Sequence, residues 1–282
     1  MERVNPTRWR FPARRDIWRE IQASYAFVER NFFMMRRYWG WEVAFLIYNV
    51  TSSLSVMYIG KAQGGTDTEN LILYLGIGTV VWAYLLAVFS NISEMIVWER
   101  WEGTIEYTMM APISRLTHML GVALFSIVYG ILRTALLLFA LFLFFNVDLS
   151  QANAFGALAI ILVGSLSFIG VGIMAAVLPL LFTERGEQMT FIISSLLLLV
   201  SGVYYPVSVL PGWMQAAAHI SPATYVLQGM RATILDGTPT SQLGHFLIPM
   251  AIIGALTIPL GMFVFTSVER YAKRTGRLKR SG

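Results

Sequence analysis

The chain is 282 residues long, 56% hydrophobic and only 13% charged, with 21 Lys and Arg against 16 Asp and Glu and a mean hydropathy of +0.61. Soluble domains carry about a quarter charged residues, so this balance excludes an ordinary soluble enzyme and predicts one all-α polytopic membrane domain. Cysteine is absent, which excludes disulfides, thiolate zinc sites and a cysteine nucleophile.

Residues 1–12 contain Pro6 and Pro12 and read as an irregular arm. No short apolar core follows the charged start, so no cleavable signal is expected and the N-terminus is expected in the cytoplasm. From Ala13 to about Tyr38, the residues Ile17, Ile21, Tyr25, Val28, Phe32 and Met35 recur at spacings of four and three. That spacing stacks them on one face of a helix. Arg15, Arg19, Arg30 and Arg37 fall mostly on the other face. With no soluble core to cover, such a helix is expected to lie in the headgroup layer with its arginines toward anionic lipid. Residues 1–40 thus read as a cytoplasmic arm and an interfacial helix.

Six spans are expected over residues 41–268: Trp41–Ile59, Leu71–Ile92, Thr117–Phe145, Ala154–Phe182, Met189–Tyr205 and His245–Val268. Each is about long enough for a hydrocarbon core of roughly 30 Å. Residues 60–70 and 146–153 are short, polar connections, while 93–116 and 183–188 carry charged clusters. The first 40 residues hold nine Arg and the segment 269–282 holds six Lys or Arg, against Lys61 and Arg231 on the other side. The bias places both termini, including the basic tail 269–282, in the cytoplasm. An even number of spans requires the same arrangement.

Residues 206–244 are too polar and too broken for a simple span. Pro206, Pro211 and Pro222 punctuate two short helices, Gly212–His219 and Ala223–Leu235, which carry Trp213, Met214, Tyr225, Leu227 and Met230. Non-helical backbone at membrane depth must be buried in protein or line a wet cavity. A re-entrant pair in the outer leaflet satisfies that rule; an ordinary outer loop of the same length satisfies the composition equally well.

Between the second and third spans lies "ERWEGTIEYTMMAPISR", residues 99–115. The carboxylates of Glu94, Glu99, Glu102 and Glu106 exclude this stretch from hydrocarbon. Glu99, Glu102 and Glu106, at spacings of three and four, would share one acidic helix face. Gly103 permits a sharp turn, and Pro112 ends the helix. The segment resembles the cytoplasmic loop of type-2 permeases of ATP-binding-cassette (ABC) exporters, with their E-R-x-x-G-T-(L/I)-E…P-(I/V)-S-R pattern. "YPVSVLPGWMQ…ISPATYVLQGMR", from Tyr205 to Arg231, is similar to the segment after the fifth span of the same family. The resemblance covers about residues 25–268 and favours the re-entrant pair, with Pro206, Pro211, Trp213, Pro222 and Tyr225 in an external lid.

The resemblance implies a permease subunit that pairs with a second permease, expected to be an identical copy, and carries two cytoplasmic nucleotide-binding subunits. ATP and Mg²⁺ would reside on those partners, with no cofactor on this chain. Glu99, Arg100, Glu102, Gly103, Thr104, Glu106 and Pro112 would couple ATPase to membrane. The second and fifth spans would line the path, offering Tyr74, Trp82, Phe89, Ser194, Leu198, Ser201 and Tyr205. Arg133, in mid-run of the third span, reads either as a contact for an anionic group on the solute or as a cation snorkelling to one end.

The sequence contains no G-x-x-x-x-G-K-(S/T) loop for nucleotide phosphates, no G-x-S-x-G elbow and no H-E-x-x-H metal motif. No catalytic or metal residue is assigned. The expected role is outward movement of an amphipathic or lipid-like solute (drug, lipid or glycolipid) across a prokaryotic inner membrane, without nucleic acid as a partner. A polysaccharide is the near alternative. An ion-coupled secondary transporter is disfavoured, because the expected spans hold only Glu42 as a carboxylate.

Overall fold

The computed structural model describes residues 14–64, 68–111, 113–145 and 150–276, with side chains from residue 18 onward. The arm expected over residues 1–12, Pro112 and residues 277–282 of the tail lie outside the described residues. Among the described residues all regular structure is helical. Helix α1, Arg14–Arg37, precedes the first long apolar helix, α2, Trp39–Gln63. Next come α3, Thr68–Ser93, the short α4, Met95–Trp101, and α5, Ile105–Met110. Helix α6 spans Arg115–Phe142, and α7, Ala154–Ala175, runs on into α8, Val177–Leu181. Then follow α9, Gly186–Val200, α10, Gly212–Ile220, α11, Pro222–Ile234, and α12, Gly244–Thr275.

Five of the six expected spans are long and apolar enough to cross a membrane: α2, α3, α6, α7 with α8, and α12. The sequence overestimates the remaining one. In place of the expected Met189–Tyr205, the helix is Gly186–Val200, 15 residues, or about 22 Å. It stops because Gly202 takes a φ of +72°, a conformation that ends a helix.

The starts of these helices are local events. Ser114 accepts a hydrogen bond from Thr117 N at the head of α6, and Asn153 accepts one from Gly156 N at the head of α7. Such caps satisfy otherwise orphaned amide donors. Pro222 opens α11, where its missing N–H costs nothing.

Helix α3 is central: Leu85, Val88, Phe89 and Ile92 are fully enclosed. It packs against α2, α6, α7 and α11. The closest pair is α7 with α12, joined also by a hydrogen bond from Ser167 Oγ to Met250 O of 2.6 Å. Helix α1 lies along the N-terminal turns of α6, where Ser24 Oγ donates to Thr117 O at 3.1 Å. Its Ile21, Tyr25 and Phe32 are exposed. Arg30 departs from expectation, because it turns inward to a carboxylate rather than outward to headgroups.

Candidate functional site

The charged segment forms a compact block at one end of the bundle. Helices α4 and α5 meet at a hinge in which Gly103, φ +72°, takes a conformation that L side chains resist. Thr104 closes the hinge, its amide donating to Glu99 O at 2.8 Å. Ile96, Ile105 and Met109 are buried beneath it.

Glu99 is the centre of the block and only 2% exposed. Its Oε1 lies 3.0 Å from Arg30 Nη1 of α1 and 3.2 Å from His118 Nε2 of α6. Burial alone would raise the Glu99 pKa, but His118 and Arg30 outweigh it and hold the carboxyl below its ordinary value. Glu102 accepts from Tyr38 Oη at 2.6 Å and lies 3.4 Å from Arg37. Arg100 is buried and donates to Leu180 O of α8 at 3.2 Å. Three elements that are far apart in sequence are thereby fastened to one short helix.

A second clamp holds the far side. Arg115, at the head of α6, donates to Thr108 O and Met109 O of α5 at 2.9 and 2.6 Å. Its Nε also lies 2.8 Å from Glu269 of α12, which Lys273 approaches at the same distance. Arg115 thus ties α5 to α6 and α12.

These pairings correct the expected acidic face. Glu99 and Glu102 point inward to α1, and Glu106 alone of the three is exposed. The outward surface instead carries Trp101, Tyr107 and Met110, at 65%, 77% and 73% exposure. Sequence reasoning missed these three, although their large apolar side chains inside a polar loop were the available signal. Near the block, Glu94 sits partly buried at the end of α3. Burial and the charge of Glu187 push its pKa up to about 7.

At the opposite end, α11 is almost wholly buried and α10 is not. Pro206 and Pro211 stand just ahead of the 3₁₀ turn Val207–Val209 and of α10, and Pro222 is the first residue of α11. Arg231 is the missed residue here. It is buried, and it donates to Gly202 O and Val203 O at 2.9 and 2.7 Å, while its guanidinium lies 3.5 Å over the Tyr74 ring. It thus fastens α11 to the chain just beyond α9 and to α3. Gly78 of α3 makes room, since a Cβ there would meet Val203 O at 2.2 Å.

The expected path residues do not form one open wall. Trp82 and Phe89 are core, Tyr74 lies beneath Arg231, and Ser194 is buried. Ser201 hydrogen-bonds Ser221 at 2.8 Å, Tyr205 Oη donates to Leu199 O, and Leu198 is partly buried. Trp213, read from the sequence as part of an external lid, is 72% exposed. Tyr225 is partly buried, its hydroxyl donating to His219 O at 2.9 Å.

A helical membrane protein with a charged block clamped across its spans is the class these features define. Residues 22–235 match the family described as ABC-2 type transporter, and the chain belongs to that family. It is 27% identical over 180 residues to "Inner membrane transport permease YadH" of Escherichia coli K12 and to the protein of the same name in Shigella flexneri. The match covers 61% of this chain and 66% of each relative, so just under two thirds of the relatives' length is represented.

Proposed function

We propose that the chain is the membrane subunit of an ABC exporter, driven by ATP hydrolysis on a separate nucleotide-binding subunit. The observation that carries this reading is the α4–α5 block. It holds its charges against α1, α6 and α8, is joined to α12 through Arg115, and turns an apolar face with one carboxylate to the outside. A surface of that kind on a loop marks a protein contact. Two copies of the chain and two ATPase subunits make the working assembly, since closed two-fold symmetry is the commonest arrangement of identical subunits. Membership in the family and the relatives' description as inner membrane transport permeases support the reading.

In this assembly α9, with the turns that follow it, is the fifth of six crossings. Helices α10 and α11 return into the outer leaflet, and both termini lie in the cytoplasm. Phe191, Ile192, Leu196 and Leu199 leave an apolar face of α9 uncovered, which suits a partner copy. The solute is amphipathic or lipid-like and leaves by alternating access: the ATPase moves the block, and the clamps carry that movement into α6 and α12.

The test is co-purification with the ATPase subunit and substrate-stimulated ATPase activity. Trp101→Ser combined with Tyr107→Ser should leave the thermal stability of the permease within about 0.5 kcal/mol. The same pair should lower ATPase association at least tenfold, because buried aromatic anchors dominate interfaces. Unchanged association with unchanged transport would reduce the block to a structural brace.

A further inference from the structure

A cavity of about 330 Å³ lies between α2, α3, α6, α7 and α11, at the end of the bundle remote from the α4–α5 block. Its lining is apolar apart from Thr134 and the Tyr84 ring, and the Tyr84 hydroxyl is turned to Ser165 at 2.6 Å. The cavity reaches the flank of the molecule, because Leu138 and Phe142 of α6 and Leu158 of α7 line it and are also exposed. Neither α9 nor α12 contributes to it, so it is separate from the face assigned above to a partner copy. The observations require only that α2, α3, α6 and α7 cross the bilayer.

Water does not occupy an apolar space of this kind, and an empty one forfeits the dispersion contacts of every lining atom. Hydrocarbon from the surrounding leaflet is as apolar as the leucines of the wall. One further group identifies which hydrocarbon. Lys61 stands one helical turn beyond Met57, and Phe145 one turn beyond Leu141, both Met57 and Leu141 being lining residues. Lys61 Nζ lies 5.9 Å from the Tyr58 ring centroid and 6.0 Å from that of Phe145. A cation is thus held at headgroup level directly over an acyl-sized apolar space, with its stem along apolar surface.

We propose that this cavity is a binding site for one anionic phospholipid. An acyl chain enters between α6 and α7, and the phosphate rests at Lys61. The lipid is a resident component rather than the cargo, and it fills the wedge between α6 and α7, which otherwise share few contacts.

The experiment is native mass spectrometry of the full chain, delipidated in detergent and titrated with phosphatidylglycerol or phosphatidylcholine. The wild-type chain should retain one lipid, with a preference for phosphatidylglycerol of about fivefold, the worth of one basic residue at a headgroup. Lys61→Gln should abolish the preference while one lipid is still retained. Ala135→Phe or Leu158→Trp, which plug the cavity from opposite walls, should each remove the retained lipid. Leu132→Phe, on the exposed face of α6 away from the lining, should change nothing. A full complement of lipid in both plugged variants would overturn the site, and an undiminished preference in Lys61→Gln would overturn the headgroup assignment. Loss of transport in the plugged variants with lipid retention unchanged would assign the cavity to the cargo instead.

Discussion

The two ends of the molecule hold their buried charges by different means. At the α4–α5 end the carboxylates have basic partners: Arg30 and His118 flank Glu99, and Arg115 and Lys273 share Glu269, while Arg100 donates to a backbone carbonyl. At the other end, the partners of Arg231 among the described residues are neutral, two backbone carbonyls and an aromatic face. The first arrangement suits a block beside water, where several groups share each desolvation cost. The second suits a helix inserted among apolar spans, where a second ion would have to be buried as well. Arg231 also has a structural consequence that an ion pair lacks: it satisfies carbonyls left open where α9 has stopped.

If this contrast is correct, the largest loss should come from Arg231→Met. The substitution leaves Gly202 O and Val203 O without donors and uncovers Tyr74. A cost of about 3 kcal/mol or more is expected, read as thermal unfolding in detergent. Arg231→Lys should recover only part of it, because an ammonium cannot reach two carbonyls in fork geometry. Stability of the Arg231→Lys variant equal to that of the wild type would break the comparison.

Glu99→Leu should cost less, about 2 kcal/mol, although breaking a buried pair commonly costs more. Arg30 is partly exposed and can turn to water. The pH dependence sharpens the point. The folded pKa of Glu99 is depressed, so its contribution is present above the unfolded value and lost as pH falls through the folded one. The Glu99→Leu variant should therefore lack this part of the acid-side loss of stability. An identical acid limb in variant and wild type would show that the network contributes nothing.

Glu94 gives the opposite sign and a smaller effect. Its pKa is raised to about 7 by burial and by Glu187. Protonated Glu94 suits the folded state, and stability is lost as pH rises from the ordinary carboxylate range through about 7. Glu94→Gln should therefore raise the midpoint of unfolding at pH 8 by a few degrees. At pH 5 the gain should be much smaller. A gain independent of pH would exclude titration of this carboxyl as its origin.

How much of this was legible before the fold was known depended on the range of the interaction. Apolar runs, proline punctuation and cap residues act locally, so both short helices and four of the spans lie within a few residues of where the sequence places them, while α12 runs on to Thr275. The end of α9 is misplaced in the sequence reading because Val203, Tyr204 and Tyr205 prolong the apolar pattern past a left-handed glycine. The direction of Glu99 and Glu102 was not legible at all. Helical spacing puts two residues on one face, but Arg30 and Arg37, some 65 to 69 positions away, decide that this face is the inner one. Arg231 escapes the sequence for a related reason: a lone Arg in a polar-looking segment counts as a surface charge until α3 is brought beneath it.

The smallest effect is expected at Arg133, where the comparison has its boundary case. Its Cζ lies 6.0 Å from the ring centroid of Phe45, which belongs to the second turn of α2. One turn earlier on α6, the Tyr129 hydroxyl donates to Glu42 in the first turn of α2. Arg133 thus packs beside the second and third turns of α2 and the middle of α3, sharing a small pocket with Leu46, Asn49, Ala83 and Tyr84. Its guanidinium is partnered by the face of that aromatic ring. Arg133→Lys and Arg133→Met should both retain folding within about 1 kcal/mol, and both should retain transport. Loss of transport in Arg133→Met, with stability kept and with transport preserved in Arg133→Lys, would reassign the residue to an anionic group on the cargo.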